Sequence, residues 1–241
     1  MQVKVVLVDV NAKMIAAWRH SFEANPEVEI VHGSMLDQAV SAWVSPTNSA
    51  ARMDGGLDLV IKNYLGAGVE RAVQAQVKQR YAGNMPVGHA VVVPSNKPQP
   101  RFLVSTPTMV GSSDNIGATM NVALACAAAF QAAHWQNTEE PGSVRSIALP
   151  GLGAQTGRVP VEICADLMWT AYDLFREHAF RDFAQMRTAL EQILGDLSPQ
   201  DSHKREAAAA LASIGVTPSK PNLGGANADF DDTELEDFDD A

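Results

Sequence analysis

Cysteine is nearly absent from this chain: Cys126 and Cys164 are the two among 241 residues. They match no metal-ligand spacing and cannot build a dense disulfide framework. Both fall in apolar helical patterns, so they are expected as buried free thiols. Long apolar runs are missing as well. Nothing approaches the roughly 20 residues of a membrane-spanning helix. The opening MQVKVVLVDV carries Lys4 and Asp9 within an apolar run too short and too charged for a signal peptide. A soluble, cytoplasmic setting with no membrane partner is the expectation. Basic charge is scarce: 18 Lys and Arg stand against 28 Asp and Glu, a formal net charge of −10. Residues 226–241, ANADFDDTELEDFDDA, hold eight of those acids and no base, so the body before them is nearly neutral. That composition lacks a basic footprint, and direct nucleic-acid binding is not expected. The six histidines (His20, His32, His89, His134, His178 and His203) are scattered, with no HxxxH pair and no Cys/His cluster. No metal site and no cofactor are expected from them. A GxSxG elbow and a Walker loop are also missing.

What is present is an alternation of strand-like and helix-like segments. VKVVLVDV (3–10) is a continuous, β-branched run that reads as a buried strand. AKMIAAWRHSF reads as a helix, VEIVHG as a short strand, and AWVSP as a strand stopped by Pro46. Residues 57–80 favour helix, broken near Gly66 and Gly68, and HAVVVPS and RFLVSTPT read as adjacent strands. A long apolar helix is expected over 115–135, a strand in VRSIALPG, and a helix opening at Pro160. This pattern predicts an α/β domain with a parallel or mixed central sheet over residues 1–180. Two further helices are expected in a C-terminal extension, 181–215, split by Ser198-Pro199. Residues 216–241 read as a linker and an acidic tail that composition predicts to be disordered.

Two glycine-rich loops stand out, each leaving a strand and entering a helix. The first, VSPTNSAARMDGGLD, places Asn48 and Asp58 around Gly55-Gly56. The second is LPGLGAQTGRVP, with Gly151, Gly153 and Gly157. Consecutive backbone N–H groups beside a helix N-terminus make an anion cradle, so the chemistry indicated is phosphate or diphosphate. The second loop reads GxGxxxG rather than the dinucleotide GxGxxG, and no strand with an acidic end follows the 160–178 helix. A ligand-free glycine turn is the alternative reading of the loop.

The two loops, in this order, resemble those of the macro domain family, which binds ADP-ribose and its derivatives. The family's first motif looks like V-N-A-A-N followed by a glycine run and an aspartate. Here it reads Val44-Ser45-Pro46-Thr47-Asn48, then Gly55-Gly56-Leu57-Asp58. Its second motif looks like P-x-I-S/G-T-G-x-x-G-x-P, matched by Pro150 to Gly153 and Thr156 to Pro160. The resemblance implies a three-layer α/β/α fold over roughly residues 28–180. It assigns Asn48 to the distal ribose and Asp58 to orienting or activating water, with Asp54, where the family has a glycine, as a second carboxylate. Against these stand an Asx turn at Asn48, a helix N-terminal carboxylate at Asp58, and a turn cap at Asp54. Gly55, Gly56, Gly151, Leu152, Gly153, Ala154, Gln155, Thr156, Gly157 and Arg158 would line the ligand. Ser34 stands where the family has its adenine-reading aspartate, so its hydroxyl or a backbone group would read the base. The function implied is binding of ADP-ribose or an ADP-ribosylated substrate, with hydrolysis of an ADP-ribosyl linkage, a non-catalytic reader, and a scaffold acting through a protein partner of the acidic tail as competing forms.

Overall fold

The computed structural model describes residues 3–177 and 183–194. The expected helix over 202–215, the linker and the acidic tail lie outside the described residues. Six strands form one sheet in the order β2-β1-β6-β3-β5-β4. They are β1 (Lys4–Asp9), β2 (Glu29–His32), β3 (Ala42–Asn48), β4 (Val91–Pro94), β5 (Phe102–Met109) and β6 (Ser146–Leu149). Every neighbouring pair is parallel except β4 with β5, which is antiparallel. The helices are α1 (Ala12–Ser21), α2 (Gly56–Leu65), α3 (Gly68–Tyr81), α4 (Asn121–Glu139), α5 (Val161–Glu177) and α6 (Phe183–Leu194).

The apolar strands are buried on both faces, as continuous runs in parallel sheets must be. Val5 and Leu7 of β1 pack with α1, α4 and α5, while Val6 and Val8 pack with α2 and α3 on the opposite face. Met186 and Leu190 of α6 are buried in the first of these clusters. The result is three layers, helix on sheet on helix, as the alternation required.

Two local expectations are corrected. β3 does not stop at Pro46: that residue pairs in register with Thr106, and the strand runs on to Asn48. β6 pairs with β3 only at Ala42 and Trp43. From Val44 onward β3 therefore has a ladder on one side, the setting in which proline is tolerated. The long helix begins at Asn121 rather than 115, because residues before it form a loop that buries Ile116 against the second glycine loop.

Candidate functional site

Parallel strands bring their carboxyl ends to one edge of the sheet, and ligands of open α/β sheets bind outside that edge. A cavity of about 340 Å³ lies there. It is lined by Asp9 and Val10 at the end of β1, Gly33 and Ser34 after β2, Pro46 in β3, Thr108 and Met109 in β5, and Pro150 and Gly151 after β6. Gly55, Gly56, Leu57 and Asp58 close one side, and Gly153, Gln155, Thr156 and Gly157 line it from the second loop. The structure thus brings Ser34, Gly55, Gly56, Asp58, Gly151, Gly153, Gln155, Thr156 and Gly157 together. It does not bring Asn48, Asp54, Leu152, Ala154 or Arg158 to the cavity lining.

The first loop is wound around Asn48. Its Oδ1 accepts from the Ala50 and Arg52 N–H groups, at 3.1 and 3.3 Å. Its Nδ2 donates to the Arg52 carbonyl and to Ser112 Oγ, at 3.2 and 3.4 Å. The amide is thereby engaged at both ends within its own neighbourhood, in the manner of an Asx turn. Downstream, the Met53 N–H donates to Glu70 Oε1 at 2.8 Å, and Lys62 pairs with the other Glu70 oxygen at 3.3 Å. This anchors the chain before Gly55, where no side chain caps α2. The first-turn amides of α2 are left facing the region that Gly55, Gly56 and Leu57 line.

Asp58 is the third helical residue, is buried, and accepts a hydrogen bond from the fully buried Ser45 hydroxyl. Burial pushes its carboxyl up to about 8; Asp54 and Glu70 add to the shift, and the Ser45 hydrogen bond and Lys62 oppose it. A carboxyl with that value exchanges its proton near neutral pH, the property needed of a general acid or base. Asp54 itself is exposed and pairs with Arg52 at 3.8 Å.

The second loop is held from outside itself. A Cβ at Gly153 would lie 2.9 Å from Ile116 Cδ1, and its φ is +75°. A Cβ at Gly157 would lie 2.6 Å from the Gly153 carbonyl oxygen. The Ile116 N–H donates to the Gly157 carbonyl at 3.0 Å, and Val159 closes on the Gly153 carbonyl at 3.2 Å. These contacts use the loop's carbonyls. The amides of Gly153 to Gly157 make no hydrogen bond to another described residue, which leaves a run of donors for an anion. Leu152 is buried in the core, Ala154 packs partly against it, and Arg158 is exposed with φ +58°.

Sequence reasoning missed Asp9 and Val10. Asp9 Oδ2 accepts from the Gly151 N–H at 3.2 Å, across 142 positions of chain. The available signal was the acid that ends the first apolar run, at the carboxyl end of a parallel strand. Thr108, one of three hydroxyls in VSTPTM, also lines the cavity. Thr106 instead bonds the His89 and Ala125 carbonyls inside the fold.

A family model for the macro domain matches residues 44–168. The span begins inside β3 and ends inside α5, so it leaves out β1, α1 and β2, although the end of β1 and the residues that follow β2 line the cavity. A protein of Aquifex aeolicus (strain VF5), described only as uncharacterized, is 29% identical over 146 residues, 59% of this chain and 78% of that one. A macro domain-containing protein of Streptomyces griseus is 30% identical over 96 residues, 39% of this chain and 54% of that one. Among solved structures, the macrodomain of Mycobacterium tuberculosis DarG aligns with a TM-score of 0.50 at 19% identity, covering 58% of this chain and 86% of that one. The Oceanobacillus iheyensis macrodomain with ADP aligns at 0.50 and 18%, covering 67% and 88%. A mutant of the latter with ADPR aligns at 0.50 and 16%, covering 67% and 90%. At these identities the structural likeness is one of fold. The family match itself spans just over half of the 241 residues, between two loops now seen to share one cavity, and this protein belongs to the macro domain family.

Proposed function

We propose that the protein binds ADP-ribose or a related ADP-ribosyl derivative in the cavity at the carboxyl edge of its sheet. One observation carries this reading: the second loop, whose amides from Gly153 to Gly157 are unpaired among the described residues, and the uncapped start of α2 line the same cavity, the loop through Gly153, Gln155, Thr156 and Gly157. Backbone donors from two sides suit a diphosphate, because they supply partial positive charge without side chains that would crowd it. That the Oceanobacillus iheyensis macrodomain has been solved with ADP and, as a mutant, with ADPR supports the choice of ligand.

Titration calorimetry of ADP-ribose into wild type and Gly55→Glu tests the reading. Gly55 is the better probe than Gly153, because a Cβ there meets nothing within 4 Å and its φ of −157° is extended. The new carboxylate would sit at the cavity rim without disturbing the fold. Binding by wild type, weakened about 100-fold or more in the variant, is the expected result. Equal affinity in both would move the ligand elsewhere, and silence in both would remove the proposal.

The buried carboxyl favours a second step at the same site, hydrolysis of an ADP-ribosyl linkage. In this reading Asp58 takes a proton from attacking water, or gives one to the leaving group. Asn48 shapes the loop that ends at Gly55, and Asp54 acts on Asp58 through its charge. Asp58→Asn should retain ADP-ribose binding and lose turnover of an ADP-ribosylated protein. If wild type shows no turnover while binding persists, the protein is a reader.

A further inference from the structure

We propose that the groove between α1 and α5 binds an organic cation, a primary ammonium or a guanidinium on a short alkyl stem. The groove encloses about 460 Å³ and shares no lining residue with the cavity at the sheet edge. Cation binding there does not depend on what the cavity holds. One face of α1 contributes Lys13, Ala16, Ala17, His20 and Ser21, at the steps of a helical stripe. Glu162 and Asp166, one turn apart, line it from α5. Two alanines stand where larger side chains would close the gap between the helices, and they give the groove an apolar lining.

Asp166 is the group that calls for a ligand. It is 8% exposed. The Ser21 hydroxyl donates to its Oδ1 at 2.6 Å, while its buried Oδ2 has no hydrogen-bond partner among the described residues. Its neighbours on α5 are satisfied. The Trp169 indole N–H donates to Asn25 Oδ1 at 3.0 Å, and the Tyr172 hydroxyl to Glu27 Oε1 at 2.7 Å. A buried carboxylate oxygen without a donor is costly, so a group entering the groove with its own N–H donors is stabilised beside it. Neither Glu162 nor Asp166 is paired with a lysine or arginine among the described residues. One lysine against two carboxylates leaves the groove net negative, which favours a cation over an anion. Among the described residues no three histidine, cysteine or acidic groups could hold a metal ion. The cation is therefore an organic one, with its head at Asp166 and its stem along Ala16 and Ala17. Burial raises the Asp166 carboxyl above the ordinary aspartate range; the Ser21 bond and His20 oppose the rise, and Glu162 adds to it. A cation beside it acts with Ser21 and His20 and draws the acid to its charged form.

The competing account leaves Oδ2 to a water molecule and the groove without a ligand. Butylguanidinium, butylammonium and neutral butanol, titrated into the full chain and followed by amide NMR shifts, separate the two. Both cations should shift amides of 13–21 and 162–166, with affinity on the order of millimolar, and butanol should not. Asp166→Asn retains an acceptor for the Ser21 hydroxyl but loses the charge, and should weaken cation binding about tenfold or more. Ala16→Leu, at an exposed position of α1, keeps every charge and fills the groove. It should weaken binding as much, and it decides alone if Asp166→Asn does not fold. A blocked tripeptide with a central arginine identifies the source. Tighter binding than butylguanidinium gives the head to a protein side chain, and equal or weaker binding gives it to a free molecule; either supports the site. No shift in wild type overturns the proposal. So do shifts scattered over the surface, butanol binding as well as the cations, or an affinity unchanged in Ala16→Leu.

Discussion

Asp58 occupies a position and an environment that pull its proton in opposite directions. The start of α2 favours the anion through the helix dipole, while burial and the charges of Asp54 and Glu70 favour the acid and win, lifting the group to about 8. The folded state therefore holds this proton more tightly than the unfolded chain, whose Asp titrates near 3.8. Stability contributed by the site is intact below about pH 4 and falls as pH rises toward 8, by roughly 1.4 kcal/mol per unit. Asp58→Asn should remove that slope, so urea melts at pH 5 to 8 should show the variant gaining on wild type as pH rises. Parallel curves would place the group in solvent. A second prediction concerns Gly157. Gly157→Ala should cost about 2–4 kcal/mol by forcing the Gly153 carbonyl aside. Gly55→Ala, with open space around its Cβ, should cost under about 1 kcal/mol. Thermal melts of the pair would decide, and equal losses would count against the packing argument. The glycine cluster was legible in the sequence as a loop. The partner that demands glycine, Ile116, was not, because it comes from a distant segment read as helix.

At the scale of elements, the sequence pattern located every described strand and α-helix, and boundaries moved where a neighbour intervened. β3 outran Pro46 because its second neighbour, β6, had already ended. The α6 pattern announced a helix without saying what it covers. Its Met186 and Leu190 are 1% and 0% exposed and join the core that α4 and α5 build on the sheet. Leu190→Ala should therefore destabilise the whole domain by about 2–5 kcal/mol, read as a lowered urea midpoint with unchanged slope. A midpoint within error of wild type would mean that α6 folds apart from the domain.

For the molecule as a whole, charge and shape are divided along the chain. The acids concentrated in residues 226–241 lie outside the described residues, while the cavity is lined by residues of β1, β3 and β5, the segments after β2 and β6, and the start of α2. If the cavity alone binds, deleting 226–241 should change ADP-ribose affinity by no more than about twofold at 0.15 M salt, where charges beyond about 8 Å are screened. A tenfold change in calorimetric titration would instead tie the tail to the site. Among the described residues no helix is long and apolar enough to cross a membrane.

Residue order alone determined the α/β class, the two glycine loops and the carboxyl Asp58 at the start of a helix. Those are local signals: side-chain period, turn chemistry and spacing along a few residues. Tertiary structure decided which loop residues reach the cavity. Asn48 turns back into its own loop, Leu152 goes to the core, and Asp9 arrives from the opposite end of the chain to meet Gly151. No local pattern encodes that meeting, because it depends on β1 lying between β2 and β6. Strand order is settled by burying both faces of the sheet at once, which only the folded chain can do.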